Sequence, residues 1–144
     1  MLHTIQLKRA YEKPKRDDGT RILVDRLWPR GLTKDKAKIN LWLKDVAPST
    51  ALRKWFGHDP KKWHGFRSRY RAELKQRGDQ LQLIKSKAKK GVITLIYGAR
   101  DQDHNEAVVL KQLLTASSGD GALQPLRRAG RRKSQGSDNK TLSF

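Results

Sequence analysis

The chain has 144 residues, no cysteine, and 33 lysines and arginines against 14 acids, for a formal net charge of +19. The missing thiol excludes disulfides, thiolate nucleophiles and cysteine-ligated zinc. The length fits one domain with a real core despite a hydrophobic fraction of 35%, and the charge favours anionic partners: nucleic acid, phosphorylated metabolites or an acidic protein.

Met1-Leu2-His3-Thr4-Ile5 lacks a basic stretch followed by a long apolar run, so no signal peptide is expected. No apolar run approaches the roughly 20 residues that span a bilayer. A cytoplasmic protein with no membrane partner is the expectation, and the absence of cysteine fits it.

His3 to Leu7 alternates as a strand does. Ala10 to Thr20 reads as a polar loop, with Pro14 and the turn signal Asp18-Gly19. Arg21 to Asp25 is a short apolar run of the kind a buried strand needs. Lys38 to Val46 carries Leu41, Trp42 and Leu43 and fits either a short strand or irregular structure. Ser49 can cap a helix that buries Leu52, Trp55 and Phe56 and stops at Gly57. Asp59-Pro60 then starts a helix to about Gln76, with Asp as N-cap and Pro at the first turn. Its apolar stripe is Trp63, Phe66, Tyr70 and Leu74.

Gly78 breaks that helix, and Asp79 to Lys90 forms another with Leu81, Ile84 and Ala88 on one face. Val92 to Tyr97 is apolar on both faces, as a central strand covered by helices would be. Asp103 and Glu106 are spaced as a capping pair for a last helix to about Thr115. Strands alternating with helices predict an α/β class: one compact domain, a small mostly parallel sheet flanked by helices. Residues 1–116 form that domain. Residues 117–144 are rich in Gly, Ser, Lys and Arg and read as a disordered basic tail.

Three segments carry candidate chemistry. Asp25-Arg26-Leu27-Trp28-Pro29-Arg30-Gly31 follows a buried strand, where ligands of open parallel sheets bind. Arg26 and Arg30 offer planar donor forks for phosphate or carboxylate. Trp28 offers a stacking face, Gly31 permits unusual backbone angles, and Asp25 can orient an arginine. A structural reading stands beside this one: Asp25 pairs with Arg26 or Arg30, Trp28 plugs the core, and the loop merely turns.

The second segment, Tyr97 to Glu106, also leaves a buried strand and opens a helix. Asp101, Asp103 and Glu106 make it acidic, so it suits sugar hydroxyls, a cationic group or proton transfer by His104 or Asp101. Tyr97 and Asn105 are further ligand candidates. The third segment holds His58, in the turn between two helices, as a residue that titrates near neutrality. His58 and His104 have equally plain roles as a turn residue and a helix-start residue. No dense His spacing predicts a metal, and no Gly-rich phosphate loop predicts a cofactor. The basic helix 60–76 and the tail could instead lie along a phosphate backbone, or the surface could serve as an adaptor for an acidic protein.

Asp17-Asp18-Gly19 with Arg21-Ile22-Leu23-Val24-Asp25-Arg26-Leu27-Trp28-Pro29-Arg30-Gly31 closely resembles the YeaO-like family, a bacterial group known as domain of unknown function 488. The blocks from Leu41 to Ser49, Leu52 to Pro60, Phe66 to Leu74, Thr94 to Asp101 and His104 to Leu110 continue the resemblance in order and spacing. It implies a compact bacterial α/β domain over nearly all of residues 1–116. It implies no particular reaction.

Overall fold

The computed structural model describes residues 4–118. One compact unit comprises Leu2–Lys111, and the described part of a second is residues 112–118. The first unit holds all four strands: β1 (Ile5–Arg9), β2 (Thr20–Leu23), β3 (Leu41–Trp42) and β4 (Ile93–Tyr97). Their order is β1-β4-β2-β3, and every pairing is parallel. The α/β class and the parallel sheet are thus as expected.

β4 lies between β1 and β2, and its five residues are all buried. Its register sets Ile93 beside both Ile5 and Thr20, and Ile96 beside Leu23. A strand paired on both edges and covered on both faces needs apolar side chains throughout, which Ile93-Thr94-Leu95-Ile96-Tyr97 nearly supplies. The exception, Thr94, donates its hydroxyl to the Asp18 carbonyl at 2.6 Å. On one face, Leu23, Ile96 and Ala10 pack beneath Trp28, Leu32, Ile39 and Trp42.

The helices are α1 (Lys34–Ala37), α2 (Thr50–Phe56), α3 (Trp63–Leu74), α4 (Gly78–Lys90) and α5 (Glu106–Ser118). Their local chemistry follows the sequence closely. Ser49 Oγ accepts the Leu52 N–H at 3.1 Å as the N-cap of α2. Asp59 caps a single 3-10 turn at Pro60–Lys62, which leads into α3. The faces expected to be apolar bury Phe66, Tyr70 and Leu74 from α3, and Leu81, Ile84 and Ala88 from α4.

Some boundaries differ from expectation, and one open stretch is resolved. β1 is centred two residues later than His3 to Leu7, and residues 1–3 lie outside the described ones. The ambiguous stretch at Lys38 to Val46 resolves into the two-residue strand β3 and a 3-10 turn at Lys44–Val46. Asp103 does not cap the last helix: α5 begins at Glu106, and Asn105 Oδ1 accepts the Val108 N–H at 3.1 Å. Asn105 is only 2% exposed, and its Nδ2 donates to the Asp101 carbonyl at 2.9 Å. α5 continues to Ser118, past the expected domain end at Ala116. The rest of the proposed basic tail, residues 119–144, lies outside the described residues.

Candidate functional site

β2 and β4 are hydrogen-bonded neighbours, so the segments that leave their carboxyl ends meet. Asp25 joins them. Its Oδ2 accepts the Gly98 N–H at 2.8 Å, and its backbone carbonyl accepts Trp42 Nε1 at 2.8 Å. A Cβ on residue 98 would stand 3.0 Å from Asp25 Oδ2, so the close approach uses the missing side chain of Gly98. Asp25 Oδ1 is buried and receives no N–H from a described residue.

Glu106, the first residue of α5, is half-buried beside Asp25. Desolvation pushes its carboxyl well above the usual carboxylate range, and the charge and hydrogen bonding of Asp25 push the same way. Arg53 opposes this shift.

Asp101 organises the other half. Its Oδ1 accepts the N–H groups of Asp103 at 2.9 Å and His104 at 3.0 Å. Its Oδ2 lies 2.8 Å from His104 Nδ1. The Asp103 N–H and the His104 ring hold the Asp101 carboxyl below its ordinary value. An ionised carboxylate only accepts, so Nδ1 carries the hydrogen and a neutral ring keeps its lone pair at Nε2. The His104 ring meets Trp63 edge-on at 5.1 Å, and Trp63 continues through Phe66 to Phe56. His58 approaches the same aromatic group from the α2–α3 turn, 6.3 Å from Phe56, with a left-handed φ of 58°.

The structure therefore brings Asp25, Asp101, His104 and Asn105 to one end of the sheet, with His58 at the aromatic margin. Of the other sequence candidates, Arg26, Trp28 and Tyr97 are committed within the protein, and Arg30 and Gly31 are exposed. Arg26 donates through Nε to the Pro48 carbonyl at 3.3 Å and through Nη2 to the Ala47 carbonyl at 3.2 Å, rather than pairing with Asp25. Trp28 donates Nε1 to the Leu32 carbonyl at 2.7 Å and packs edge-on against Trp42 at 5.4 Å. Arg30 is exposed and its carbonyl accepts the Tyr11 hydroxyl at 2.9 Å. Gly31 is exposed at φ 84°. Tyr97 is buried, its phenol is pushed up by that burial, and its carbonyl accepts the Ala10 N–H at 2.7 Å.

Sequence reasoning missed Arg53 and Trp63 as members of this end, and read Glu106 as a cap and a source of negative charge rather than as a partner of Asp25. Glu106 had a visible signal, an acid at the first helical position after a strand end. The others depend on contacts across the fold. Among the described residues, no group of three or more histidines and acids could hold a metal ion.

A family described as the Inactive DUF488-N3 subclade matches residues 4–127. The uncharacterised protein YeaO of Escherichia coli (strain K12) is 43% identical over 110 residues, covering 76% of this chain and 96% of that protein. This chain belongs to the YeaO-like DUF488 family. Uncharacterised proteins of Mycobacterium tuberculosis and Mycobacterium bovis are each 41% identical over 110 residues, covering 76% of this chain and 92% of theirs. No solved structure matches it. The family match reaches eleven residues past Ala116, so the likeness extends into the stretch read from sequence as tail. No described helix of this YeaO-like chain is long and apolar enough to cross a membrane.

Proposed function

We propose that the carboxyl end of β2 and β4 holds a small phosphorylated ligand rich in hydroxyl groups, such as a nucleotide or a sugar phosphate. The observation that carries this reading is the Asp101–His104 pair. Asp101 fixes the ring through Nδ1, which leaves Nε2 to accept from a ligand hydroxyl. Asp25 and Glu106 add an adjacent pair of carboxyl groups at the same end of the sheet. A bare phosphate would be repelled by these carboxylates, so the hydroxyl-bearing part of the ligand belongs on them. The phosphate belongs nearer Arg53, which is exposed and whose charge acts on Glu106.

Holding a ligand without turnover is the form of this reading that the family description supports, since it names the subclade inactive. The test is thermal unfolding of the full chain with a panel of nucleoside 5′-monophosphates and sugar phosphates. A ligand at a hundred times its dissociation constant stabilises by about 2.7 kcal/mol. The expected result is a raised Tm with at least one compound, lost in Asp101→Asn. No shift with any compound, or an equal shift in the variant, overturns the reading.

A further inference from the structure

We propose that the outward side of α3 is a docking surface for the phosphodiester backbone of a nucleic acid, with Arg67, Arg71 and Lys75 as its phosphate contacts. The surface is opposite in charge to the carboxylate-lined end of the sheet.

Charge density comes first. Residues 1–116 carry 27 lysines and arginines against 12 acids, so the excess is not a property of the C-terminal segment. Between Lys61 and Lys90 there are eleven lysines and arginines and only two acids, Glu73 and Asp79. Glu73 is already engaged, accepting the Ser49 N–H at 2.8 Å and the Ser49 hydroxyl at 2.6 Å. None of the eleven cations forms an ion pair with a described residue.

Arrangement comes next. Arg67, Arg71 and Lys75 follow at four-residue spacing, which aligns them along one side of α3 with about 6 Å of rise between neighbours. Like charges at this spacing destabilise a helix. Here the conflict is visible: desolvation, and then the charge of Arg67, lower the Arg71 pKa. Arg67 Nε is buried and donates to no described residue. α4 repeats the pattern, where desolvation and then Lys89 lower the Lys85 pKa. A solvated face of mixed charge would relieve these conflicts with interspersed acids. A row of cations that forms no ion pair with a described residue is what a polyanion would satisfy.

The opposite flank of α3 adds a surface aromatic. Trp55 lies against Gly65, with the Arg69 guanidinium 3.9 Å from its ring centroid and Lys62 Nζ 5.2 Å away. Ser68 and Ala72, both exposed, lie between the two flanks and leave room for a strand to pass. Because every contact is to phosphate, the binding is expected to be strong in salt dependence and indifferent to sequence.

The experiment measures binding of the full chain to fluorescently labelled 20-base-pair DNA and RNA duplexes across a salt series. Arg71→Gln/Lys75→Gln is compared with Lys34→Gln/Lys36→Gln, which removes the same charge from exposed positions on α1. Circular dichroism confirms that both variants fold. The expected result is salt-sensitive binding whose slope falls by about 2 in the α3 variant, with affinity down several-fold, and changes little in the α1 variant. No binding to either duplex at low salt overturns the proposal, as do equal losses in both variants. Tighter binding to polyglutamate than to either duplex, with the same dependence on Arg71 and Lys75, also overturns it and assigns the surface to an acidic protein.

Discussion

Asp101 grips His104 at two points, taking its backbone N–H at 3.0 Å through Oδ1 and meeting its ring Nδ1 at 2.8 Å through Oδ2. One short side chain thus sets both the path of the loop after β4 and the orientation of an imidazole. The pair has side-chain exposures of 32% each, open enough to meet a ligand.

Asp101→Ala should therefore cost about 1–2 kcal/mol, because two backbone N–H groups and the ring lose their acceptor together. Asp101 has a depressed pKa in the folded chain. Its stabilisation is full above the unfolded value and is lost as pH falls through the folded one. Urea unfolding of Asp101→Asn between pH 7 and pH 3 should show a shallower acid loss than the parent. The loss should not vanish, because Asp18 titrates in the same window.

Asp18 makes a second prediction. It is buried, bonds Lys8 Nζ at 2.8 Å and Arg21 Nη1 at 2.7 Å, and Arg21 is itself buried. Burial opposes its ionisation, but the bonds from Lys8, the Lys15 N–H and Arg21 prevail and leave the pKa lowered. Asp18→Ala strands the Arg21 guanidinium, whose remaining bonds go to the Ala37 carbonyl. Loss of about 3–5 kcal/mol is expected on chemical unfolding.

How much of this was legible in the sequence depends on the range of the interaction. α2 is marked by Ser49 and Gly57, and α3 and α4 by their apolar spacing; all of these signals act within a few residues. β4 is legible because a doubly covered strand must be apolar. The N-cap of α5 was misassigned because Asp101, Asp103 and Asn105 are all short acceptors near its start. The loop chooses among them by wrapping around Asp101, which spacing alone does not reveal. The Asp25–Gly98 bond joins residues 73 apart. It exists only because β2 and β4 pair, and the local sequence at either residue cannot announce it. The Trp28 loop had two sequence readings, and the structure gives Trp28 a packing role whatever the loop binds.

That role yields a third prediction. Trp28 covers Ala10, Leu23 and Ile96 and spends its N–H on the Leu32 carbonyl. Trp28→Leu should destabilise the protein by about 2–3 kcal/mol, from lost buried area and a carbonyl left without its donor. Any ligand-induced rise in Tm should persist in this variant, measured from its own lower starting Tm. Selective loss of ligand stabilisation without a change in unfolding free energy would contradict the packing role.

Glu106 supplies the last prediction, and its sign is opposite to that of Asp101. Burial and the nearby Asp25 raise its pKa, so the folded chain prefers the protonated acid. Above the unfolded value, near the ordinary glutamate value of 4.5, the unfolded chain releases this proton more readily than the folded one. Stability is consequently drained as pH rises from that value toward the raised folded one. Glu106→Gln keeps the shape and the neutral state, and so removes the drain. At pH 8 the variant should be more stable than the parent by on the order of 1 kcal/mol, and the gap should close toward pH 4. The Asp25 bond to Gly98 accepts on Oδ2 in either case, so the backbone junction between β2 and β4 should survive the change. Paired urea titrations at pH 4, 6 and 8 measure the gap directly. A variant that is less stable than the parent at pH 8 would mean that Glu106 is held ionised there, by Arg53 or by a ligand-ready arrangement that the neutral amide cannot reproduce.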